Sequence, residues 1–116
     1  MTFLVSLPNG QTWTKEITVS ASPPEKFELF QNYPNPFNPA TTISYQLPAD
    51  GRVRLKIYNL LGQGVVTLLD ADRPAGFHQE VWNGTSVASG TYIYRMLVTD
   101  VSGKELVEHK TMTLIK

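Results

Sequence analysis

The residues in this chain that could do chemistry are few. His78 and His109 are the only histidines among 116 residues, and there is no cysteine. With Asp70, Asp72 or Ser89, either imidazole could be drawn into a hydroxyl-nucleophile triad. In such a triad a histidine takes the serine proton and a carboxylate orients the ring. Nothing in the sequence marks a nucleophile elbow or an oxyanion hole, so too little of a catalytic constellation is present. The simpler expectation places His78 half-buried beside Trp82, four residues on and on the same strand face. Asp70 and Asp72 read as a solvated loop. Two carboxylates fall well short of the roughly six to eight oxygens that calcium takes. The lack of cysteine excludes disulfides, thiolate nucleophiles and cysteine metal sites. No cofactor or metal is expected.

Three further groups have both a chemical and a structural reading. Trp82, Tyr92 and Tyr94 could form an aromatic platform for carbohydrate, but a fold this small needs its large rings inside. Gly62, Gly84 and Gly90 lack the Lys-Ser or Lys-Thr context of a phosphate loop and read as turn glycines with positive φ. Asn83-Gly84-Thr85 matches a glycosylation sequon and is read as a turn. Arg52, Arg54 and Lys56 form the one local basic stripe, either a wet sheet face or a docking face. The formal net charge is +0, and the other cations are scattered singly. That argues against nucleic acid or an anionic membrane surface as partner. No apolar run approaches the roughly 20 residues of a membrane span. The start, Met1 to Pro8, has no basic stretch ahead of its apolar residues and is not a signal peptide.

The elements that would position these residues follow a period of two. Ile43, Tyr45 and Leu47 alternate with Thr42, Ser44 and Gln46. Val53, Leu55 and Ile57 alternate with the three cations. Tyr92, Tyr94, Met96 and Val98 make a third run, and residues from Leu106 onward a fourth. Weaker runs cover Val65 to Leu69 and Phe77 to Asn83. Alternation of this kind predicts half-buried strands with one wet face. Turn signals recur at short intervals: Pro48 to Gly51, Asn59 to Gly62, Arg73 to Gly76, Ser89-Gly90 and Asp100 to Gly103. Short strands so punctuated predict an all-β fold, a sandwich or barrel.

The organisation reads as three parts. Residues 1–22 carry alternation around Pro8-Asn9-Gly10, a hairpin signature. They read as the last hairpin of an upstream domain, or else as extra strands of the main fold. Residues 23–40 are a Pro-rich linker and lead-in, with Ser20 to Lys26 as its solvated start. The three prolines at short spacing in Asn32 to Pro39 exclude a central strand there. Tyr33 and Phe37 are expected to anchor it in the core. Residues 41–116 are the main β domain.

The run Asn32-Tyr33-Pro34-Asn35-Pro36-Phe37-Asn38-Pro39, with Thr42 and Ile43, resembles the opening of the type A C-terminal sorting domain of the type IX secretion system. Later pieces fit in order: Val53-x-Leu-x-Ile57-Tyr58-Asn59, then Leu61-Gly62-Gln63 and Val66, Ala75-Gly76-x-His78, Trp82-Asn83-Gly84, Ala88-Ser89-Gly90-x-Tyr92-x-Tyr94, Lys110-x-Met112 and Lys116. The resemblance covers about residues 27 to 116. Leu55 to Tyr94 also resembles the immunoglobulin-like domain of the flagellar hook-capping protein. The Pro-rich opening and the Lys-x-Met ending favour the sorting family.

The resemblance implies an immunoglobulin-like antiparallel β-sandwich of about seven strands. It also implies a non-catalytic signal that directs a larger, covalently linked cargo through the outer-membrane translocon. The destination would be the cell surface or the medium, often with removal by a sortase. Candidate recognition residues are Lys110, Met112, Leu114 and Lys116 on an end strand open to β-addition, with the Arg52, Arg54, Lys56 stripe. Alternatives are an interaction module of the hook-capping kind or a carbohydrate-binding accessory domain.

Overall fold

A computed structural model describes residues 24–116 in full, together with the backbone pairing of two short strands, β1 (Val5–Leu7) and β2 (Thr12–Thr14). These two pair antiparallel with each other, Val5 opposite Thr14 and Leu7 opposite Thr12. The expected turn at Asn9-Gly10 and most of the Ser20 to Lys26 linker lie outside the described residues.

Seven further strands make two antiparallel sheets. They are β3 (Glu28–Leu29), β4 (Ala40–Leu47), β5 (Gly51–Asn59), β6 (Gly64–Arg73), β7 (Gly76–Asn83), β8 (Gly90–Asp100) and β9 (Glu105–Leu114). The small sheet has the order β3-β4-β7 and the large sheet β6-β5-β8-β9. This is the expected all-β immunoglobulin-like sandwich, and no helix occurs among the described residues.

The period-two pattern is what assigns each face. Ile43, Tyr45 and Leu47 of β4, and Val53, Leu55 and Ile57 of β5, point inward and are buried. Tyr94, Met96 and Val98 of β8 and Met112 and Leu114 of β9 share the inner face of the large sheet with the β5 residues and are buried with them. Burying side chains of this size contributes about 1.5–3 kcal/mol each relative to exposure. Phe37, Trp82 and Tyr92 close one end of the core. Phe37 and Trp82 have ring centroids 5.7 Å apart, and Trp82 meets Tyr92 edge-on at 5.6 Å. Trp82, Tyr92 and Tyr94 are thus core residues and offer no exposed platform for sugar.

The strand runs read from sequence hold, but β6 is longer than its apolar segment. It extends through Asp70 and Asp72 to Arg73, so these aspartates lie on a strand and not in a loop. Their partners explain this: Asp70 stands opposite Arg54 and Asp72 opposite Arg52 in the register of β5. Opposite charges facing across a pair stabilise a strand that has little apolar content at that end. Two register shifts, between Leu55 and Lys56 and between Ile57 and Tyr58, interrupt the same ladder nearer the turn.

Candidate functional site

The Pro-rich lead-in and the terminal strand, roughly 80 positions apart, are joined along one edge of the sandwich. β9 is an edge strand of the large sheet, so alternate residues turn their peptide groups away from β8. The lead-in meets those groups. The Phe37 amide donates to Thr113 O at 2.9 Å, and the Ile115 amide donates to Phe37 O at 2.9 Å. The Thr113 amide donates to Asn35 Oδ1 at 3.0 Å, and Gln31 Nε2 donates to Thr111 O at 2.7 Å. Further along, the Leu29 amide donates to Glu108 Oε1 at 2.9 Å. The edge expected to be open to β-addition is therefore covered from Thr111 to Ile115 by residues of the same chain.

Phe37 anchors this lead-in as expected, but Tyr33 does not. Tyr33 pairs by two backbone hydrogen bonds with Thr42, whose side chain faces outward, and its ring is 80% exposed. Directly opposite residues share a sheet face, so pairing with Thr42 dictates that outcome. The buried neighbour is Asn32 instead. Its amide donates to the Tyr94 hydroxyl at 2.8 Å, and its Nδ2 donates to Thr41 Oγ1 at 3.0 Å and to Pro34 O at 3.2 Å. The Tyr94 hydroxyl in turn donates to Phe30 O at 2.7 Å. Burial pushes the Tyr94 phenol up to about 12. These bonds satisfy backbone groups that the prolines leave without ladder partners. The three X-Pro bonds Tyr33-Pro34, Asn35-Pro36 and Asn38-Pro39 are cis.

The candidate recognition residues fall on separate surfaces. Met112 and Leu114 are 1% exposed and belong to the core. Lys110 shares their inward face and is half-buried. Lys116 is exposed, with its amide donating to Ser89 Oγ at 3.1 Å and its Nζ to Thr85 O at 2.7 Å. Arg52, Arg54 and Lys56 alternate with core residues on the outer face of β5. Arg52 Nε lies 3.0 Å from Asp70 Oδ1, Arg52 Nη1 lies 3.5 Å from Asp72, and Arg54 Nε lies 3.6 Å from Asp70. Most of the positive stripe is thus balanced by its neighbour strand.

The other motif residues are turn and seam positions. Gly62 and Gly90 have positive φ, +83° and +155°, as expected. Gly84 does not. A Cβ there would stand 2.9 Å from Leu114 Cδ2, so close approach, and not backbone sign, is what glycine supplies. The Gly84 amide donates to Pro39 O at 2.8 Å, tying the lead-in to the β7–β8 loop. The Asn83 side chain accepts from the Thr85 amide at 2.8 Å, which is a turn contact. Gly76 opens β7.

Among the described residues the histidines are not assembled with a nucleophile. His78 is half-buried as expected, but it stacks on Tyr45 with centroids 5.3 Å apart, whereas Trp82 packs on Phe37 and Tyr92. Its Nε2 lies 2.7 Å from Pro74 O, so that nitrogen carries the proton. Tyr45 donates to Glu80 Oε2 at 2.8 Å, and Arg73 Nε lies 3.6 Å from the same oxygen. Burial, then Glu80, pushes the Tyr45 phenol up. Ser89 lies beyond the far end of β7 from His78, and His109 is exposed on β9. Among the described residues no three His, Asp or Glu side chains gather as a metal would need.

A covered edge, a Pro-rich lead-in anchored by the buried Asn32 and Phe37, and a sandwich core define an immunoglobulin-like module. Among proteins of known family, the secretion system C-terminal sorting domain matches over residues 31–107. That is more than half of the chain, and the chain belongs to that family, the C-terminal signal for type IX secretion. No curated protein matches in sequence. Among solved structures, dimeric latent PorU from Porphyromonas gingivalis is similar, with a TM-score of 0.63 and 18% identity over 90% of this chain. The chain spans 10% of the length of that PorU chain, and at this identity the likeness is one of fold. CopC from Methylosinus trichosporium OB3b matches 76% of this chain and 92% of its own at 11% identity and a TM-score of 0.47. The PmoD soluble domain from Methylocystis sp. ATCC 49242 (Rockwell) matches 77% and 89% at 17% and 0.49.

Proposed function

We propose that the folded sandwich is itself the address read by the type IX translocon, and that it acts by recognition without chemistry. The observation that supports this is the joining of the lead-in to the terminal strand. The Phe37–Thr113–Ile115 ladder and the Asn35 cap bring two distant motif segments into one rigid surface. An interaction surface built this way exists only in the folded domain. Recognition would then fall to groups that remain exposed, Lys116 among them, with Met112 and Leu114 holding the strand from inside.

In this reading residues 1–22 belong to the end of a cargo domain and residues 23–40 join it to the tag. A sortase would cut in that junction. The cut would fall in the Ser20 to Lys26 linker, whose described residues, Pro24 to Lys26, are half-buried or exposed and so within reach of a protease. The cargo would be released to the cell surface or the medium. The family is an export signal, and membership supports a partner in the secretion machinery.

A periplasmic reporter fused to the whole chain tests this. It is expected outside a cell that has the type IX machinery, and retained in the same cell without the translocon. Retention in both strains, with the fusion stable and folded, would overturn the sorting role and favour an interaction module of the hook-capping kind.

A further inference from the structure

The β5–β6 connection is a tight turn that points two leucines into solvent. Leu60 is 65% exposed and Leu61 84%. Asn59 holds the turn from three sides. Its Oδ1 accepts from the Leu61 amide at 2.9 Å and the Gln63 amide at 3.0 Å, and its Nδ2 donates to Gln63 Oε1 at 2.8 Å. Backbone bonds from Gly62 to Asn59 O and from Asn59 to Gln63 O, both 3.0 Å, close it. Gly62 takes the left-handed conformation, φ +83°, that the reversal requires.

A single exposed apolar side chain needs no explanation. This turn differs in three respects. The two leucines are adjacent and rigidly held, so little conformational freedom is left to lose on binding. No charged residue occurs between Lys56 and Asp70. The turn also lies at the end of the sandwich where the terminal strand finishes, since Asn59 stands opposite Tyr92 and Gly90 opposite Leu114. Ile115, half-exposed, lies at the same end. The opposite end carries two exposed apolar side chains, Val101, 89% exposed in the β8–β9 turn, and Phe77, 72% exposed at the start of β7, but they stand on separate elements and not side by side.

We propose that the Leu60–Leu61 turn is the anchor by which this end of the sandwich seats in an uncharged, apolar pocket of a protein of the secretion machinery. This rests on the sorting reading above. A protein pocket fits better than a lipid surface, because interfacial anchors combine apolar residues with several lysines or arginines, whereas this turn has none and Lys116 at the same end donates its Nζ to Thr85 O. A few side chains that fill a desolvated pocket can carry most of the binding energy of an interface.

The test uses the whole chain fused to a reporter, as parent, as the L60S/L61S double variant, and as V101S. Both variants should melt within about 3 °C of the parent, because the replaced side chains are exposed. The double variant should appear outside the cell at about one tenth of the parent level or less, while V101S is delivered like the parent. Delivery of the double variant at the parent level would overturn the inference and leave the sorting reading standing. Equal losses in both variants would overturn it too, since position would then not matter. The free fusion protein should not float with vesicles of mixed phosphatidylcholine and phosphatidylglycerol. Flotation by the parent and not by the double variant would assign the turn to lipid instead. A parent that is itself retained would bring down the sorting reading, and this inference with it.

Discussion

Four positions separate Tyr33 from Phe37, yet one ring faces solvent and the other is almost wholly buried. Their substitutions should therefore separate cleanly. Phe37→Ala is expected to cost about 3–5 kcal/mol, the range for emptying a packed aromatic site. Tyr33→Ala should stay within about 0.5 kcal/mol, as exposed positions do. Urea denaturation of the two variants measures both. Tyr94 offers a second test. Its hydroxyl accepts from Asn32 and donates to Phe30, so Tyr94→Phe strands two backbone groups and should cost about 1–3 kcal/mol. The same phenol gives a pH dependence. Its folded value of about 12 lies above the ordinary 10.0, so the unfolded chain loses the proton first. Stability should be full below pH 10 and fall as pH rises toward about 12. Tyr45, shifted the same way, adds to the fall. Urea midpoints across that window should decline, and less steeply in Tyr94→Phe. A midpoint that rises with pH there would contradict the assignment.

At the scale of elements, an edge strand is a liability unless something covers it, and here the lead-in covers β9. Asn35→Ala removes the acceptor of the Thr113 amide without touching the core. Hydrogen exchange at Thr113 is expected to speed up by about tenfold or more while the amides facing β8 keep their protection. Equal exchange in variant and parent would show that Asn35 does not seal the edge. This element also marks how far the sequence could be read. Alternation in β4, β5, β8 and β9 declares which side chains are buried, because period two is a property of the strand alone. Strand order and edge covering are long-range and leave no periodic trace. Asn35 and Gln31 therefore look like ordinary lead-in residues, and Tyr33 looks like an anchor. Asp70 and Asp72 read as a loop because their partners, Arg54 and Arg52, stand on another strand. Asn59 to Gly62 reads as a turn, but two leucines within it carry no local signal of whether they face solvent or fold back onto the core. In β9 the same alternation sets Met112 and Leu114 on the buried face, so of the four candidate residues on the end strand Lys116 is the exposed one.

At the scale of the whole molecule, the lead-in and the last strand of the domain hold each other, and the arginine–aspartate network lies apart from the exposed leucines. The outer face of β5 and β6 is a network of Arg52, Arg54, Asp70 and Asp72, exposed and so worth little to stability. The end that carries Leu60, Leu61, Ile115 and Lys116 is where the terminal strand finishes. The central claim is that the folded sandwich, and not the linear terminal segment, is what the secretion machinery reads. Phe37→Ala tests it most directly, because it leaves every residue from Lys110 to Lys116 in place while removing the packing that holds them. In a reporter fused to the whole chain, assayed above the melting temperature of the Phe37→Ala tag and below that of the parent, with the level of intact periplasmic fusion measured alongside, the Phe37→Ala tag is expected to be retained and the parent delivered. Delivery of both at the same level would contradict the account and assign the address to the terminal segment alone.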